Sequence, residues 1–194
     1  MLKTVPILAV LIILSVESRV QSASAQAPPD KLFLLSDDHR KEWCAYASES
    51  SWKSQVDSSG AATVATMDFS NGHLTSIDVT TQDETGDWMV FDHYVLGNAG
   101  DLKELRRKVN ILPGDRSVSE TYLISDQKAK LQNRTTTSLS TGEKPTSSEE
   151  WLPEVFVATR LKDFPFRALT TVKYSDVASK GKICAPVRSS ATRR

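Results

Sequence analysis

Turn-forming residues recur along the middle of this chain at a nearly constant interval, and that rhythm limits the fold more than any other feature. They fall at Asp57-Ser58-Ser59-Gly60, Asn71-Gly72, Asp83 to Gly86, Asn98 to Gly100, Pro113-Gly114-Asp115, Asp126-Gln127 and Thr141-Gly142. Gly, Asn and Asp tolerate the backbone angles of tight turns, and Pro pre-sets one of them. The intervals are mostly 13 to 15 residues, leaving eight to ten between turns, a usual strand length. No helix-sized insert of the kind a parallel crossover needs lies between them. The pattern predicts a mainly β chain: a single antiparallel meander sheet of about six to seven strands, with short helical or irregular N- and C-terminal segments packed on it.

The first hairpin turns at Asn71-Gly72. Ala65, Met67 and Phe69 share one face of the strand before it, and Ile77 and Val79 share one face of the strand after it. A plain two-residue turn sets Met67 against Ser76 and Ala65 against Asp78. A three-residue loop, Ser70-Asn71-Gly72, sets Phe69 against His73, Met67 against Thr75 and Ala65 against Ile77, and Gly72 supplies the left-handed residue of a bulge. The three-residue loop is the expected register. Two later segments, around Asn98-Ala99-Gly100 and around Asp126, are loose echoes of this hairpin.

From Trp88 to Leu96 the strand pattern is apolar on both faces: Trp88, Val90, Tyr94 and Leu96 point one way, Met89, Phe91 and Val95 the other. Such a strand belongs mid-sheet with cover on both sides. Residues 101–112 carry two patterns. Asp101 and Glu104 have capping-box spacing, with Leu102, Leu105, Val109 and Leu112 on one helical face. The turn rhythm and the alternation of Leu105, Val109 and Ile111 argue for a strand, which is the reading adopted. The Thr-rich run Ala129 to Leu139 suits an edge strand. In the flanks, Ser36-Asp37-Asp38 has the chemistry of a cap for a short helix leading to a strand around Cys44 and Tyr46. Val155-Phe156-Val157 reads as extended, and Ala168 to Tyr174 alternates.

At the N-terminus Lys3, the apolar run Val5 to Val16 and Ala23-Ser24-Ala25 form the three parts of a secretory signal peptide cut after Ala25. The run is shorter than the roughly 20 residues a membrane span needs. The expected organisation is a signal peptide over 1–25, a flexible mature N-terminus over 26–36, one β-rich domain over 37–186 and a disordered tail over 187–194. The mature chain is then secreted or periplasmic, without stable membrane insertion. It keeps 22 basic and 23 acidic side chains, a balance that gives no field for nucleic acid. The one dense basic run, Arg106-Arg107-Lys108, reads as a solvated face. Both cysteines, Cys44 and Cys184, lie in the mature chain, which predicts a disulfide closing most of it, worth about 4–5 kcal/mol by chain entropy. Asn133-Arg134-Thr135 matches a glycosylation sequon, meaningful only in a eukaryotic secretory pathway.

No Gly-x-Ser-x-Gly, His-Glu-x-x-His, phosphate loop or dinucleotide fingerprint occurs, and no cofactor or metal is expected. His39 and His73 read as solvent-exposed. His93 shares a face with Phe91 and Val95, where an imidazole beside apolar neighbours can serve as acid or base. Carboxylates such as Asp68, Asp78 and Asp92 could approach one another across strands as a glycosidase-like pair. The functional expectation is a non-catalytic binding or carrier domain that takes an apolar small molecule or a protein partner on a surface near Trp88, Phe91 and Tyr94. The competing reading is a small secreted hydrolase using His93 with a nearby carboxylate. Residues 149–175, with Trp151, Phe156, Phe164 and Phe166, are the chain's own candidates to cover that surface.

Overall fold

A computed structural model describes residues 30–37, 41–59, 62–145 and 151–187. They form one antiparallel-ladder sheet of nine strands with two short α-helices, so the mainly β class holds. In chain order the elements are β1 (Asp30–Asp37), β2 (Glu42–Tyr46), α1 (Glu49–Ser59), β3 (Thr63–Ser70), β4 (His73–Gln82), β5 (Trp88–Leu96), β6 (Leu102–Ile111), β7 (Arg116–Ser125), β8 (Lys128–Ser138), α2 (Tyr174–Lys180) and β9 (Lys182–Pro186). Across the sheet the order is β8-β7-β6-β5-β4-β3-β1-β2-β9. The meander β3–β8 is the six-strand unit read from the turn rhythm, with β5 inside it and the Thr-rich β8 at its edge. The three further strands come from the flanks.

Two flank expectations are corrected. Of the stretch 26–36, read as flexible, residues 30–36 lie in β1, which pairs with β2 on one side and β3 on the other. Ser36 and Asp37, read as the start of a helix cap, close β1 opposite Trp43 and Glu42, and Asp38 lies outside the described residues. Leu32 and Leu34 are fully buried on one face and Leu35 on the other, so β1 is an interior strand. The two strands that pair antiparallel with β1 run parallel to each other. Their connection therefore needs a crossover, and α1 provides it outside the meander. Ser48 accepts the Ser51 N–H at the start of α1 (3.4 Å), and the i, i+4 pair Trp52 and Val56 faces the sheet. Trp52 packs on Phe33 with ring centres 5.4 Å apart and donates its indole N–H to the Leu34 carbonyl at 3.1 Å. In the same cluster Cys44 and Cys184, directly opposed across β2 and β9, form the expected disulfide over 140 residues of chain.

Asn71 and Gly72, at φ 51 and 76, make a two-residue turn, with Ser70 opposite His73. The three-residue loop is therefore not the register. The extra residue sits further along, at Thr75, between the Phe69–Leu74 and Asp68–Ser76 pairs. A bulge in the strand does the work assigned to the loop: Met67 meets Ile77 and Ala65 meets Val79, so the apolar set stays together. The other two hairpins repeat the device. Lys103 is the extra residue between Leu96–Leu102 and Val95–Glu104, and Gln132 between Tyr122–Leu131 and Thr121–Asn133. The bulge at Lys103 explains why residues 101–112 carried a helical pattern. It turns Leu102 and Leu105, three apart in sequence, to the same buried face of a strand.

The main core lies between the inner sheet face and the C-terminal segment. Phe164 and Phe166 stack at 5.0 Å, Trp43 meets Phe166 at 4.9 Å, and Leu169 and Val177 are fully buried. Residues 168–173, whose alternation suggested a strand, are turns that feed α2. Val187 donates its N–H to the Lys41 carbonyl at 2.7 Å; the rest of the expected tail, His39, and residues 1–29 with the expected signal peptide lie outside the described residues.

Candidate functional site

Alternation along a strand puts residues of one parity on one face. In β5, Trp88, Val90, Asp92 and Tyr94 face inward, and Met89, Phe91, His93 and Val95 face outward. The three predicted site residues therefore do not converge. Trp88 and Tyr94 share the inner face but stand six residues apart, roughly 20 Å along the strand. Phe91 is on the other face, opposite Thr80 and Lys108, and 37% exposed. The outer face of β5 is thus not covered on Phe91 as a doubly buried strand would be. Tyr94 is core: it meets Phe164 edge-on at 5.0 Å, and its hydroxyl accepts the Ala158 N–H at 3.1 Å. Burial pushes its pKa up, and the Asp92 charge adds to the rise.

Trp88 alone of the three lines a described cavity. That cavity, of 380 Å³, is bounded by Asp83, Asp87, Trp88, Ile111, Pro113, Gly114, Arg116 and Trp151. Ile111 and Trp88 also belong to a second apolar cluster with Val90, Val109 and Val118, capped by Leu152 and Val155. The cavity therefore opens at the end of an apolar trough on β5–β7. The lid of the trough is the segment 151–158, which has no regular secondary structure and pairs with no strand. Leu152 and Val155 turn down from it, whereas Trp151 and Phe156, expected to serve as cover, stay 57% and 64% exposed.

At the far end of the trough the sheet carries charge where apolar residues are expected. Asp92, Arg107, Glu120 and Arg134 stand directly opposite one another across β5, β6, β7 and β8. Asp92, Arg107 and Glu120 are 5%, 7% and 4% exposed. Arg107 donates from Nε and Nη2 to the two Asp92 oxygens, both at 2.7 Å. It also reaches the lid, from Nη1 to the Val155 carbonyl (3.2 Å) and from Nη2 to the Phe156 carbonyl (3.0 Å). Glu120 accepts from Arg134 Nε at 2.7 Å and from the Tyr122 hydroxyl at 2.8 Å. Burial pushes the Asp92 carboxyl up, and the Arg107 hydrogen bonds and charge only partly oppose it. For Arg107, burial opposes the charge and the Asp92 pairing outweighs it. Arg107 was thus misplaced in the solvated run; only Arg106 and Lys108 beside it are exposed. The signal was parity, since Arg107 sits between inward Leu105 and Val109, and Glu120 between inward Val118 and Tyr122.

On the outer face His93 meets Asp78 across β4 and β5, with Nδ1 to Oδ1 at 2.6 Å. Thr66 donates to the other Asp78 oxygen at 3.3 Å. Both ion-pair side chains are about two-fifths exposed (39% and 42%). Asp68 accepts from Ser76 (2.9 Å) and pairs with Lys31 (3.1 Å), and Asp92 faces the opposite side, so Asp78 is the carboxylate the fold brings to His93. His73 is exposed and lines a 640 Å³ cavity at the hairpin tips, with Asn71, Leu74, Asn98 and Leu161. Asn133 is exposed on the edge strand. Among the described residues, one group of side chains has metal-ligand geometry, Glu42 with Cys44 and Cys184, and there the sulfurs are bonded to each other. No described helix is long and apolar enough to cross a membrane. Comparisons with protein-family models, curated proteins and solved structures give no match to this chain.

Proposed function

We propose that this protein is an exported, non-catalytic binding or carrier domain that takes an apolar ligand at the Trp88 end of its sheet. The observation that carries the reading is the 380 Å³ cavity between Trp88, Ile111, Pro113 and Trp151, continuous with the apolar trough under residues 151–158. Its size falls in the range of small-molecule sites, and the apolar side chains of its wall share the lining with Asp83, Asp87 and Arg116. Export is supported by the signal-peptide pattern of residues 1–25 and by a disulfide of the kind that persists in oxidising compartments. The test is Trp88→Ala with an uncharged apolar fluorescent probe, N-phenyl-1-naphthylamine. The variant should melt cooperatively and lose saturable binding. Retained binding, or absence of saturable binding in the parent protein, counts against a site there. N-terminal sequencing of the exported protein should begin at Gln26.

The hydrolase reading rests on the His93–Asp78 contact at 2.6 Å, an imidazole oriented by a carboxylate. The hydroxyl described at this pair, that of Thr66, is donated to Asp78, and both side chains lie on an open face. It stands only if His93→Ala abolishes a measured ester or amide turnover while the fold persists.

A further inference from the structure

We propose that the ligand of the Trp88 cavity is an acyl compound, an apolar chain ending in acceptor-only carbonyl oxygens, whose head takes the second fork of Arg107 by displacing residues 151–157. The proposal deepens the binding reading above and rests on it.

A guanidinium has two edges that can donate in pairs. In Arg107 the Nε–Nη2 edge is filled by Asp92, and the Nη1–Nη2 edge faces two consecutive backbone carbonyls, those of Val155 and Phe156. These oxygens stand where the oxygens of a carboxylate or an ester would stand, so the lid occupies the head-group position itself. The chain follows from β6. Arg107, Val109 and Ile111 are successive inward residues, and the run from the guanidinium to the cavity mouth is roughly 13 Å at strand rise. Val90 and Val118 line it from the neighbouring strands, and the cavity receives the tail.

The lid forms no strand ladder with the sheet. Its described links are arginine-to-carbonyl bonds, from Arg107 and, at 3.4 Å, from Arg116 to Trp151, together with the half-buried Leu152, Val155 and Val157. Ala158, bonded through its N–H to Tyr94, anchors the downstream end. A ligand with carbonyl oxygens and an apolar chain replaces both kinds of contact at once. A donor head cannot, because the Arg107 fork offers only N–H groups.

Titration calorimetry of the intact, disulfide-bonded chain tests this with four probes of one length: dodecanoate, methyl dodecanoate, dodecane and dodecylammonium. The two acyl probes should bind about tenfold or more tightly than the other two, the size expected for a well-made bond to a charged donor. Dodecanoate over methyl dodecanoate assigns a free acid; the reverse assigns an ester. Equal binding of all four leaves the apolar site standing and overturns the acyl head. Val155→Ala, which removes a lid side chain from the trough but keeps the backbone carbonyl that faces Arg107, should tighten dodecanoate binding several-fold. Unchanged or weaker binding overturns displacement. Acyl discrimination that survives Trp88→Ala unchanged removes the Trp88 cavity from the site.

Discussion

The two ends of this sheet are built differently. At the β1–β2–β9 end both faces are dry: α1 lies on one, the aromatic cluster of Phe164 and Phe166 on the other, and a disulfide ties the last strand to the second. Along the Trp88 side of β5–β7 the inner face is covered by a single unpaired segment, the outer face of β5 is open at Phe91, and the buried positions beyond include a row of charges, whereas at Tyr94, Leu105 and Ile124 the main core reaches the same strands. Stability is therefore concentrated where cover is double. The end with thinner cover is the end that can open without unfolding the rest, as elements of low local stability do elsewhere. The buried Asp92–Arg107 pair is no substitute for apolar packing there, because desolvation consumes much of what the charges gain.

That contrast can be broken by substitution. Phe166→Ala, at the doubly covered end, should cost about 3–5 kcal/mol in denaturant unfolding. Phe156→Ala, on the lid and mostly exposed, should stay within about 0.5 kcal/mol. Comparable losses at both positions would remove the distinction.

Reduction of Cys44–Cys184 should lower stability by about 2–5 kcal/mol, the usual cost of losing a disulfide that closes a long loop. Ligand binding at the Trp88 cavity should be retained in the reduced protein below its melting transition. Identical melting of the two forms would show that β9 needs no staple.

Smaller effects sharpen the same picture. His93→Ala on the open face should change stability by no more than about 1 kcal/mol, because its partner Asp78 is solvated and exposed pairs contribute little. Smallest is Asp115, whose carboxyl is held below its usual value by hydrogen bonds from Ser138 and Ser140. A folded pKa below the unfolded one adds stability above the unfolded value, which is lost as pH falls through the folded value. Protection of the Ser140 amide, which donates to Asp115 at 3.0 Å, should therefore fall relative to the unstructured exchange rate at the same pH as the carboxyl is protonated, with protection of the β1 amides unaffected.

The meander was legible because each turn carries its own chemistry. Asn71-Gly72, Gly100 and Asp126-Gln127 adopt positive φ where the spacing placed turns, and the strands between them follow. The disulfide was legible because only two cysteines are present. Register was less so. A single extra residue reverses the facing of everything beyond it, and Thr75, Lys103 and Gln132 have no composition that marks a bulge. Of the three residues named from the sequence, one, Trp88, lines a described cavity. Phe91 was excluded by parity alone, while Arg107 and Glu120 were hidden because a charged residue at an inward position looks, in one dimension, like an interruption of the pattern.

By itself the sequence determined the strand class, the interior place of β5, the edge place of β8 and the pairing of its cysteines. These depend on local turn geometry, side-chain alternation and counting. The tertiary structure alone decided that residues 30–37 are an interior strand, that α1 carries the chain across β1, and that residues 151–158 close over β5–β7. Those choices depend on which apolar faces meet between segments distant in sequence. Burial of that kind is proportional to area and indifferent to chain order, and it leaves no periodic trace in the segments that supply it.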